Sequence, residues 1–147
     1  MTSNKEKYVF LIILLLTLGA GFLVFYFKDT TPAGLHYAFP GRLVAGFPSE
    51  LVLDQEATVK KSYSIDNAAS ASQKTTVFSS DKSDQELFVL CGEYFKKADW
   101  RVFNIVAKEE SLELYARKDS DELKIVISRG DGKNKKNQLI VSYFTKN

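Results

Sequence analysis

The chain has 147 residues, 45% of them hydrophobic and 26% charged, a composition that predicts a folded protein rather than a disordered one. A net charge of +2 excludes a strongly basic nucleic-acid binder and a polyanionic tail. One cysteine, Cys91, excludes an intrachain disulfide framework and a cysteine-rich zinc site, and one histidine, His36, removes most metal and charge-relay chemistry.

The first element predicted is a transmembrane helix over residues 8–27. This stretch holds no charge, and fourteen of its residues are Leu, Ile, Val or Phe. At about 1.5 Å per residue it spans roughly 30 Å, the hydrocarbon thickness of a bilayer. Its apolar side chains favour insertion by something on the order of 4 to 8 kcal/mol. Tyr8 and Tyr26 lie near the ends, where rings rest at headgroup depth, and Lys7 and Lys28 close the span. A cleaved signal is the competing reading, because Gly19-Ala20-Gly21 offers a small-x-small site. Cleavage there leaves Phe22 to begin an exposed apolar run, so an uncleaved signal-anchor is expected. Lys5 and Lys7 place residues 1–7 in the cytoplasm and the C-terminal domain outside it, in the cell envelope.

Residues 28–56 read as a proline-containing connector. A small repeat lies within it, Phe39-Pro40-Gly41-Arg42-Leu43-Val44 followed by Phe47-Pro48-Ser49-Glu50-Leu51-Val52. Each unit reads as a turn, since proline fixes φ and biases the preceding Phe towards extended backbone. Phe39 and Phe47 are expected to hook the connector onto the domain or the headgroup region, with a docking strip for a partner as the functional alternative.

Residues 57–147 are expected to form an extracytoplasmic domain. Residues 58–66 and 74–79 read as two strands about a small polar loop. Ser83 and Glu86 form a capping box, so a helix begins at Asp84. Leu87, Phe88, Leu90, Cys91, Tyr94, Phe95 and Ala98 recur at helical spacing, which puts Cys91 on a buried stripe. Residues 100–108, 112–117, 123–128 and 138–145 read as four further strands. Leu112, Leu114 and Ala116, then Leu123, Ile125 and Ile127, then Leu139, Val141 and Tyr143 alternate and should face the helix. Short connections favour antiparallel neighbours, so the expected fold is α+β, in the order ββαββββ, with a mostly antiparallel sheet covered by one amphipathic helix.

No catalytic, cofactor-binding or metal-binding residue is predicted. Glu109, Glu110, Glu113, Asp119, Asp121 and Glu122 read as turn or strand-edge carboxylates without the apolar pocket that raises a pKa for acid catalysis. Arg129-Gly130-Asp131 spells an adhesion tripeptide, but a hairpin loop favours these residues in any case. The loop over residues 129–137 is basic through Lys133, Lys135 and Lys136, which together with Tyr115 are the candidate contacts for an envelope polymer or an anionic lipid.

The run Tyr94-Phe95-Lys96-Lys97-Ala98-Asp99-Trp100 resembles the helix end found in a class of bacterial single-pass membrane-anchored proteins with a small α+β extracytoplasmic domain. Such domains commonly carry Gly before the Trp, where this chain has Asp99. The resemblance covers roughly residues 58–145 and implies no activity or site residue. The first functional expectation is a non-catalytic interaction or structural domain held at the membrane by residues 8–27, with an envelope protein as its partner and no nucleic acid. The alternative is the polymer or lipid binder.

Overall fold

The structure is a computed structural model that describes residues 34–67, 71–130 and 136–146. The span expected over residues 8–27 lies outside the described residues. The order of elements is β1 (Leu35–Tyr37), β2 (Thr58–Asn67), β3 (Ala71–Ser80), α1 (Asp84–Lys97), β4 (Arg101–Ala107), β5 (Ser111–Lys118), β6 (Asp121–Ser128) and β7 (Asn137–Lys146), with a 3-10 turn at Ser49–Leu51. Among the described residues the fold is α+β: one antiparallel sheet of seven strands and one α-helix.

The helix starts and stops where its caps dictate. The Ser83 side chain accepts from the Glu86 N–H at 3.2 Å while the Ser83 N–H donates to Glu86 Oε2 at 2.8 Å, satisfying two donors of the first turn. At the other end the Ala98 N–H reaches the Tyr94 carbonyl at 2.8 Å and the Trp100 N–H reaches that of Phe95 at 2.9 Å. That closure needs a left-handed residue between them, and Asp99 supplies it with φ 58°. Asp84 and Glu86 in the first turn and Lys96 and Lys97 in the last complement the helix dipole.

The sheet order is β1-β2-β3-β7-β6-β5-β4. β7 therefore joins the first hairpin to the later meander, and α1 crosses over the sheet between β3 and the far edge strand β4. Leu87, Cys91 and Phe95 of the helix bury against Leu114, Ala116, Leu123, Ile125, Ile127, Leu139 and Val141, which face it by strand alternation. Burial pushes the Cys91 thiol up to about 12. Phe88 falls at the margin of the helical stripe and is 40% exposed.

Residues 38–57 cover the part of the sheet that the helix does not. Val44, Phe47 and Leu51 belong to the same buried cluster as Phe78, and the Phe47 and Phe78 rings meet edge-on at 6.3 Å. Phe39 is instead 79% exposed. Asp54, buried at the end of this segment, accepts from the Ser80 hydroxyl at 2.5 Å and from the Glu56 N–H at 3.2 Å, and pairs with Lys82 at 3.2 Å. Burial opposes its charge, but the Ser80, Glu56 and Lys82 hydrogen bonds together hold the carboxyl below its ordinary value. The strand added to the six expected, β1, is three residues just before this segment, paired with β2, Tyr37 opposite Tyr63. Three residues are too few for an alternating pattern to stand out in the sequence.

Candidate binding surface

One face of the sheet lies under α1 and residues 38–57, and among the described residues no element covers the other. Because Leu112, Leu114 and Ala116 face the helix, Glu113, Tyr115 and Arg117 project from the open face. Pairing carries Tyr115 across the whole sheet in one row: Asn104, Tyr115, Lys124, Ser142, Thr75, Tyr63 and Tyr37, one residue from each strand. At about 4.8 Å between strands, the row is roughly 29 Å long.

The middle of that row is a buried hydroxyl pair, Thr75 donating to Ser142 at 3.0 Å, and aromatic rings lie towards both ends. At one end the Tyr37 and Tyr63 rings lie 5.8 Å apart with Lys61 Nζ at 5.1 and 5.5 Å from their centres. At the other, Phe103 lies 6.3 Å from Tyr115, Arg117 stands over Phe103 at 5.5 Å, and Lys124 stands over Tyr115 at 5.1 Å. Half-buried Val77, Val126 and Ile140 form a neighbouring row that runs on to Glu113.

Glu113 is the most strongly held charge on this face. Its carboxylate accepts from Lys108, from the Tyr115 hydroxyl at 2.5 Å, and pairs with Lys124 at 3.0 Å. These hydrogen bonds, from Lys108 first and then Tyr115 and Lys124, bring its pKa down to about 2. A carboxylate fixed in its charged form is the opposite of a general acid. Sequence reasoning took Glu113 for a turn or edge residue; it sits on the penultimate strand, 7% exposed. The arrangement presents stacking surface and ordered charge.

Of the residues singled out in the sequence, Tyr115 lies in this row. Lys133 and Lys135 lie outside the described residues. Lys136 is exposed and donates to Asp81 at 2.9 Å. It precedes Ser142 by six residues, about 20 Å along an extended strand, so Lys136 and the Tyr115 row are not one site. Arg129 of the tripeptide is engaged by Asp84 at the start of α1, at 3.0 Å. Sequence reasoning missed Tyr37, Lys61, Tyr63, Phe103, Arg117 and Lys124. For Arg117 and Lys124 the signal was the parity opposite to the helix-facing Leu and Ile; for Tyr37 and Phe103 there was none, because a three-residue strand and a bulge place them.

Comparisons with family models, with curated proteins and with solved structures each return no match.

Proposed function

We propose that this chain is a single-pass, membrane-anchored, non-catalytic interaction domain of the cell envelope, whose open sheet face meets a protein partner. Residues 1–7 are cytoplasmic in this reading, residues 8–27 span the bilayer, and the C-terminal domain is extracytoplasmic. The supporting observation is the row from Tyr37 to Tyr115 with Phe103 beside it, an uncovered face whose aromatic rings are already oriented by Lys61, Arg117 and Lys124. Ordered aromatic and cationic side chains suit recognition, because little side-chain freedom remains to be lost on binding. A photo-crosslinking residue at Tyr37 or Tyr63 in native membranes is expected to trap a defined protein, and one at the exposed Lys97 is not. Protease added to intact cells should reach the residues after Lys28. Equal labelling at all three positions, or a domain protected in intact cells and cut only after lysis, overturns the reading.

A second reading, an envelope polymer or anionic lipid as ligand, is favoured by the charges themselves. Lys61, Lys108, Arg117 and Lys124 stand on this face against Glu113 and Glu122. Binding of the full chain to anionic vesicles or polymer that resists salt removes it, because attraction between exposed charges is screened over about 8 Å at physiological ionic strength.

A further inference from the structure

Where α1 ends, the helix-facing side of the sheet is left with a small aromatic hollow. Tyr143 continues the alternation of Leu139 and Val141 on β7. Its ring meets that of Trp100, which follows the left-handed Asp99, at 6.4 Å and 78°. Two rings standing almost at right angles leave a corner with a ring face on each side. Tyr94 in the last turn of α1 adds a third ring, and the 3-10 turn at Ser49–Leu51 contributes Glu50. The pocket these residues line holds about 210 Å³. Sites for drug-sized ligands begin at roughly 300 Å³, so this one has room for a single headgroup-sized moiety.

The charge around the hollow is one-sided. Glu50, Asp119 and Asp121 line it, the last two brought there by the turn between β5 and β6. Among the described residues none of the three is in an ion pair. The one base in the lining, Lys118, is engaged with the Ala98 carbonyl at 2.8 Å. The carbonyl end of α1 adds partial negative charge, and Lys96 and Lys97 in its last turn are exposed and do not line the pocket. The Tyr143 hydroxyl donates to Asp121 Oδ2 at 2.6 Å. Burial first, then Asp121 and Glu50, push that phenol up to about 12, so Tyr143 is a fixed and neutral wall.

We propose that this pocket binds an N-methylated ammonium group, with Trp100, Tyr143 and Tyr94 against its methyls and Glu50, Asp119 and Asp121 balancing its charge, on a small solute that carries no acid of its own. Aromatic rings attract a cation through their negative faces, Trp most strongly, and a methylated ammonium is the cation that sheds its water most readily to meet them. A metal ion needs oxygen ligands converging on one point, and no such cluster stands among the described residues. A phosphocholine headgroup offers the same cation, but its phosphate has to lie beside three carboxylates. The inference stands on this pocket and is independent of the membrane anchor and of the open sheet face.

Trp100 is the only tryptophan in the chain, so its fluorescence reports on the pocket directly. The test titrates choline into the full chain in a maltoside detergent at constant ionic strength. A saturable change in Trp100 emission is expected. The neutral isostere of choline, in which a tert-butyl group replaces trimethylammonium, and phosphocholine should each bind at least about tenfold more weakly. Glu50 is exposed, so Glu50→Gln should keep the melting temperature of the parent and weaken choline several-fold. Tyr143→Leu should weaken it further; if that variant fails to fold, Glu50→Gln decides alone. The absence of a saturable change overturns the proposal, as does equal binding of choline and its neutral isostere. Phosphocholine bound as tightly as choline, or choline binding indifferent to Glu50→Gln, overturns it too.

Discussion

Phe47→Ala is the most direct measure of how far residues 38–57 belong to the folded core, with Phe39→Ala as its partner experiment. The two phenylalanines occupy equivalent places in the repeat, each before a proline, yet Phe47 is 7% exposed and Phe39 79%. Truncating a buried Phe costs about 3 to 5 kcal/mol, including about 1 kcal/mol for an edge-on ring contact such as that with Phe78. Phe47 sits on a loop between Gly46 and Pro48, which can settle inward more easily than a strand, so the low end, about 3 kcal/mol, is expected. At about 4 °C per kcal/mol for a domain of this size, the melting temperature falls by about 12 °C. Phe39→Ala should stay within about 0.5 kcal/mol of the parent. Urea unfolding followed by circular dichroism gives both values, provided the slope against denaturant is unchanged. Equal effects from the two variants refute the view that this segment is part of the core.

Two further outcomes follow from single side chains. The Glu113 pKa of about 2 lies below the ordinary value of about 4.3, so its contribution to stability is complete above pH ~4.3 and is lost as pH falls from there towards 2. Glu113→Gln should lower the urea midpoint at pH 7 and shrink the further drop between pH 7 and pH 3; parallel drops in parent and variant refute the charge cluster. Asp99 holds a left-handed backbone, φ 58°, that glycine adopts without steric cost, so Asp99→Gly should raise stability by about 0.5 to 1 kcal/mol. A lower melting temperature in that variant means the Asp99 side chain does something beyond closing the helix.

Local features of the fold were legible and long-range ones were not. The capping box at Ser83 and Glu86 and the alternation of Leu112, Leu114 and Ala116 depend on near neighbours, and both stand in the structure. The end of α1 shows the same point: its closure through the left-handed Asp99 depends only on residues within one turn of it. The insertion of β7 between β3 and β6 depends on pairs such as Thr75 with Ser142, far apart in the chain, and nothing local signals it. Small hydroxyl residues misled for another reason. Ser62 and Thr76 look like surface residues, yet they are buried because they bond to each other at 2.7 Å and Ser62 accepts the Val44 N–H at 2.9 Å. The open face shares that history: parity alone places Tyr115 and Lys124 on it, while the meeting of both with Glu113 needed the sheet register.

The position of β7 also governs when the sheet can close. It follows the other six strands of the sheet in the chain, yet it supplies both ladders that hold the two halves together. Until Asn137 and the residues after it emerge, a nascent chain holds a hairpin and a meander whose inner edges, β3 and β6, have nothing to pair with. Those edges are hazards for mispairing during that interval. A frameshift or stop codon ahead of β7 therefore yields two disconnected fragments of sheet, a target for quality-control proteases, instead of a slightly shortened domain.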